Sequence, residues 1–131
     1  MAQYEVMELF SGDSDGLLWL SLGFISSDPL DVLHIACGKT ATGVAGEDAL
    51  YLERADQSDA CSGQVLALVA RQGCIALSLT QEGASSLQLQ QHTRFTFNEQ
   101  PALFASAEAQ LARMRASGQT CIVVQRDQDG I

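Results

Sequence analysis

Positive charge is scarce in this chain. Its 131 residues include 7 Lys+Arg against 16 Asp+Glu, a net charge of −9 and a pI near 4.3, and Lys39 is the single lysine. Such a field repels phosphate backbones and anionic lipid, so neither nucleic acid nor a membrane surface is an expected partner. Long apolar runs are also missing. The longest, Leu17 to Ile25, is broken by Ser21 and Gly23 and falls short of the roughly 20 residues a spanning helix needs. Met1 to Phe10 lacks a basic stretch and carries Glu5 and Glu8, so it is expected to open the working chain rather than to serve as a signal peptide. Cysteine is sparse: Cys37, Cys61, Cys74 and Cys121 form no Cys-x-x-Cys pair and spell out neither a zinc site nor a disulfide framework. Free thiols in a reducing cytoplasm are expected, with no metal or cofactor.

What remains is the composition of one ordinary soluble domain spanning residues 1–131, with 47% hydrophobic residues, 18% charged residues and a mean hydropathy of +0.07. The segments Met1 to Phe10 and Leu17 to Phe24 flank a run of turn formers, Ser11 to Gly16, and predict a hairpin. The second arm is apolar at nearly every position, as in a strand covered on both faces. Val32 to Cys37 predicts a buried strand, Ala41 to Ala49 a loop, and Leu50 to Arg54 a short strand with one wet face. Ala55 to Gly63 is small and polar throughout, which predicts an irregular binding loop. Gln64 to Ala70 and Cys74 to Thr80 predict a second hairpin around Arg71-Gln72-Gly73, with Ile75, Leu77 and Leu79 on its core side.

Gln81 to Leu89 predicts a helical turn, and His92 to Asn98 a strand alternating Thr93, Phe95 and Phe97 with Arg94 and Thr96. From Pro101 the period changes: Leu103, Phe104, Ala107, Leu111 and Met114 recur at helical steps, and Gly118 marks a stop. Cys121 to Gln125 predicts a last strand, and residues 126–131 a polar tail. The expected class is α+β, a mainly antiparallel sheet with one principal C-terminal amphipathic helix packed on it.

Catalytic patterns are wanting. Asp13-Ser14-Asp15-Gly16 and Asp127-Gln128-Asp129-Gly130 are fragments of calcium loops without the remaining ligands, and are better explained as turns. Gly38-Lys39-Thr40 lacks the upstream glycine of a phosphate loop. His34 in its apolar strand suits a hydrogen-bonded structural histidine, and nothing in the sequence supports a Cys37–His92 nucleophile pair. Carboxylates are the abundant functional group. Glu47, Asp48, Glu53, Asp56 and Asp59 crowd one region, and Asp13, Asp15, Asp28 and Asp31 another, as either a solvated face or a patch that meets a basic protein.

Tyr51-x-Glu53, Asp56-Gln57-Ser58, the small residues up to Gly63, and the apolar arms Val65 to Val69 and Ile75 to Leu79 together resemble the immunity protein 10 family of bacterial polymorphic toxin systems. The looser order of strand and helix beyond Phe95 extends the likeness over roughly the C-terminal two thirds of the chain. Ala55 and Gln64 depart from the family pattern. The resemblance implies a cytoplasmic immunity protein without catalysis, which binds and neutralises a cognate toxin domain. It makes Tyr51, Glu53, Asp56, Gln57 and Ser58 candidate contacts, and the acidic loop adds Asp59. A basic toxin would suit the acidic surface. The alternative is a small-molecule-binding or accessory subunit, with a pocket between the sheet and the helix from Pro101. Monomer and homodimer both stay open.

Overall fold

A computed structural model describes residues 2–26, 31–40, 48–55 and 59–125. Its first hairpin is tighter than the sequence predicts. Strand β1 (Ala2–Ser14) runs through Ser11-Gly12-Asp13 and turns at Asp15 and Gly16 alone, whose φ values of 54° and 77° give the doubly left-handed turn that fits the twist of a hairpin. Strand β2 (Leu17–Ile25) returns antiparallel, followed by β3 (Asp31–Gly38) and β4 (Tyr51–Arg54).

The loop expected from Ala55 to Gly63 contains a further short strand, β5 (Ala60–Ser62), paired to β4; small polar residues are tolerated there because β5 is an edge. Strands β6 (Val65–Arg71) and β7 (Cys74–Leu79) form the second hairpin, in which Arg71 pairs with Cys74 and Gln72-Gly73 alone makes the turn. The expected three-residue connection is therefore one residue too long. Helix α1 (Gln81–Leu87) is capped by the Thr80 side chain, which accepts from the Gly83 N–H. Strand β8 (His92–Thr96), helix α2 (Pro101–Ala116) and β9 (Ile122–Gln125) complete the described elements. The predicted loop at 41–49 falls largely, and the tail at 126–131 entirely, outside the described residues.

The nine strands form one sheet in the order β5-β4-β3-β2-β1-β8-β7-β6-β9. Most pairs are antiparallel, but β1–β8 and β6–β9 are parallel, so the sheet is mixed. The second of these follows from chain order, because α2 carries the chain back over the sheet before β9. Edge strand β5 passes to β6, one strand in from the far edge of the sheet, through Gly63 and Gln64 alone. The sheet must therefore curl until its two ends nearly meet, and α1 lies against β4 and β5 from one end and β7 from the other.

The inner face carries the core. Leu18, Leu20, Leu22 and Phe24 of β2, Leu33 and Ile35 of β3, Leu52 of β4, Ile75, Leu77 and Leu79 of β7, and Phe95 of β8 are buried there with Ala107, Leu111 and Met114 of α2. Rings of Tyr4, Phe24 and Phe95 cluster at the β1–β8 junction, with centroids 5.0 to 6.1 Å apart. Among the described residues no helix is long and apolar enough to cross a membrane.

Candidate functional site

Because side chains alternate across a strand, every core residue of β1–β4 leaves its neighbours on the outer face, where neither described helix packs. The ladder places Gly12, Phe10 and Glu8 of β1 beside Trp19, Ser21 and Gly23 of β2; these in turn face Ala36, His34 and Val32 of β3. Tyr51 and Glu53 of β4 extend the rows beside Ala36 and His34. The predicted double covering of β2 thus holds in part: Ser21 and Gly23 are buried on this face, and Trp19 is half-buried.

Two hydrogen bonds fix the polar groups of the face. Ser21 Oγ lies 2.7 Å from His34 Nδ1, and the Tyr51 hydroxyl donates to Glu53 Oε1 at 2.6 Å. That carboxylate pushes the Tyr51 phenol up to about 12. Ser21 is only 7% exposed, so its hydroxyl anchors the histidine and is badly placed to attack a substrate. Around these groups stand apolar side chains open to water: Phe10 is 60% exposed and Tyr51 37%. Glu8 is also exposed, so the aromatic patch is bordered by carboxylate.

Asp59 lies elsewhere. The β4–β5 register sets it opposite Arg54, on the inner side of the sheet next to α1, where its Oδ1 accepts from Gln88 Nε2 at 3.1 Å. Arg54 clamps Asp31 there through Nε at 3.0 Å and Nη2 at 2.8 Å, donates to the Leu87 and Gln88 carbonyls, and sits 5.9 Å from the Phe24 ring centroid. The six candidate contacts therefore divide. Tyr51 and Glu53 share the outer face, Asp59 belongs to the Asp31–Arg54 corner, and Asp56, Gln57 and Ser58 lie outside the described residues.

The acidic clusters are also partly neutralised, since Asp13 pairs with both Lys39 and Arg113 at 2.8 and 2.7 Å. Cys37 and His92 do not meet. The thiol sits on the inner face of β3, 3.7 Å from Ser117 Oγ, whereas His92 is exposed on β8, with β2 and β1 between the two strands. All four cysteines are free, and burial pushes the Cys37, Cys61 and Cys121 thiols up. Among the described residues no group of His, Cys, Asp and Glu could hold a metal ion. Where a pocket between sheet and α2 is the alternative expectation, Ala107, Leu111 and Met114 fill the space beneath the helix, and a hollow of about 350 Å³ lies at its side, between Ala112, Arg115 and Ala116 of α2 and Val124 of β9.

Phe10 and Trp19 are the functional candidates that sequence reasoning passes over. Phe10 looks like the end of a core strand until the hairpin is extended by four residues, and only then does the alternation place it outside. No family model, curated protein or solved structure matches the chain.

Proposed function

We propose that this protein is a bacterial inhibitor of the immunity type, which binds a cognate toxin domain in the cytoplasm and neutralises it without catalysis. The observation that supports this reading best is the outer face of β1–β4, which offers Phe10 and Tyr51 to solvent beside Glu8 and Glu53 in a chain of charge −9. A few anchor side chains, tyrosine prominent among them, carry most of the energy of protein contacts, and a complementary field speeds encounter and sets orientation. A basic toxin domain fits both requirements. Tyr51 and Glu53 would be central contacts. Asp59 would contribute at the rim of β5, and Asp56, Gln57 and Ser58 remain candidates on the strength of the family resemblance alone.

The test is co-expression with the toxin encoded beside this chain, scored by bacterial growth and by co-purification. Rescue with a stable complex is expected, together with at least a tenfold loss of affinity for Phe10→Ser or Tyr51→Ala and slower association as salt rises. A toxin that kills equally well in its presence, without binding it, would overturn the reading.

A further inference from the structure

Beyond β1 the outer face changes character. Arg71 of β6 pairs with Cys74 of β7, and Arg94 of β8 pairs with Ala76 of β7, so the two guanidinium groups rise from the strands on either side of β7. Strands lie roughly 4.8 Å apart and a two-residue offset adds roughly 6.7 Å along them, which separates the two arginine-bearing backbones by roughly 12 Å, a span that long side chains narrow from both sides. Between them Val69, Cys74 and Ala76 make a low floor, and with Gln72 at one end they line a hollow of about 310 Å³.

The charges around this hollow are unusual for the molecule. With 16 acidic residues available to 7 basic ones, the other described cations are engaged: Arg54 with Asp31, Lys39 and Arg113 with Asp13, and Arg115 with the Ile122 carbonyl. The side chains of Arg71 and Arg94 make no hydrogen bond or ion pair to any described residue. The carboxylate best placed to neutralise Arg94 is Glu5, on the same face of adjacent β1, and it is turned elsewhere. Its Oε1 accepts from the Thr96 hydroxyl at 2.6 Å and from Asn98, and its Oε2 accepts from the Glu99 N–H at 2.6 Å. Two like charges facing one hollow repel each other, and an oxyanion gripped by both guanidinium forks would relieve that repulsion. The floor adds a preference of its own, because Val69 and Ala76 offer apolar surface to whatever carries the oxyanion.

We propose that this hollow binds a small organic phosphate monoester, its phosphoryl group held between Arg71 and Arg94 and its carbon end resting on Val69, Cys74 and Ala76. The site lies on β6–β8, away from Phe10 and Tyr51, and is independent of the toxin-binding reading.

Phenyl phosphate is the probe, titrated into the isotope-labelled protein at fixed ionic strength with sodium chloride as the balance and followed through backbone amide NMR shifts. Saturable shifts are expected at Gln72, Cys74 and Arg94, with at least threefold tighter binding than inorganic phosphate. Arg71→Gln and Arg94→Gln should each weaken binding at least tenfold, whereas Arg94→Lys, which keeps the charge and loses the fork, should retain part of it. Both side chains are exposed, and unchanged amide spectra away from the hollow would show that the variants are folded. Shifts that never saturate, or that persist unchanged in both glutamine variants, would overturn the proposal. Equal affinity for inorganic phosphate would overturn the ester, because the apolar floor would then contribute nothing.

Discussion

The indole of Trp19 lies flat across Gly12, its cross-strand partner: a Cβ at Gly12 would stand 2.3 Å from Trp19 Cζ2 and 2.7 Å from Nε1. Glycine is needed here for space, and its absent side chain lets the single tryptophan cover the β1–β2 ladder on the outer face. Beneath the same pair, Gln110 of α2 donates from Nε2 to both the Gly12 and the Trp19 carbonyls at 2.9 Å, so the hairpin is held from its inner side as well.

Gly12→Ala should expel the ring. The indole can swing away, so the expected loss is modest, about 1 to 2 kcal/mol. Tryptophan emission should move to the red as the ring enters water, and thermal unfolding should show the lower midpoint. An unshifted spectrum with unchanged stability would contradict the close approach.

Arg54 is expected to be the most sensitive charged residue. Its side chain and that of Asp31 are each 16% exposed, and it ties β4 to Asp31, to two carbonyls at the C-terminal end of α1 and to the Phe24 ring. Arg54→Met keeps much of the stem and removes every donor, which leaves Asp31 half-buried without its counter-ion. A loss of about 2 to 4 kcal/mol follows, measurable by urea unfolding. Arg54→Met combined with Asp31→Asn should recover part of the loss, since the stranded charge is then gone.

Acid should weaken the fold through three carboxylates. Burial raises Asp31, but its bonds from Arg54, the Val32 N–H and Ser26 outweigh that and leave it lowered. Glu5 is lowered by the Glu99 N–H and the Thr96 hydroxyl, and Asp13 by Lys39 and Arg113. A folded pKa below the unfolded one means that the stabilisation is complete above the unfolded value of roughly 4 and is lost as pH falls through the folded value. The melting midpoint should therefore hold steady from neutrality to about pH 5 and fall below about pH 4, and Asp31→Asn should flatten that fall.

Much of this architecture is legible in residue order, and the misses share a cause. Period-two alternation in β7 and β8 and the helical step from Leu103 to Met114 are local, so Ile75, Leu77, Phe95, Leu111 and Met114 are correctly read as core. Turn formers mislead where the chain uses fewer of them than it offers: Ser11-Gly12-Asp13-Ser14 and Ala60-Cys61-Ser62 are turn-like in composition, yet ladder partners hold them as strand. The parallel β1–β8 and β6–β9 contacts join residues some 50 to 90 positions apart, and no local pattern encodes such a pairing. The candidate site was legible only at Tyr51 and Glu53. That Asp59 faces the other way follows from the β4–β5 register, and the isolation of Arg71 and Arg94 follows from where Glu5 points.

The Tyr51–Glu53 pair gives a direct spectroscopic handle on the proposed contact face. The phenol is held neutral because its hydroxyl donates to the carboxylate, and ionising it would set two negative charges side by side; hence the rise from 10.0 to about 12. A raised folded pKa contributes stability that is complete below the unfolded value near 10 and is lost as pH climbs through about 12. Phenolate absorbance should thus show one tyrosine titrating late, and Glu53→Gln should return its midpoint towards 10 by removing the charge while keeping an acceptor. Tyr51→Phe separates the roles of the pair in binding. The ring remains as an apolar anchor while Glu53 loses its internal donor, so a basic partner should associate at least as fast as with the parent protein, whereas Tyr51→Ala should dissociate faster. Equal dissociation rates for the two variants would remove Tyr51 from the contact face.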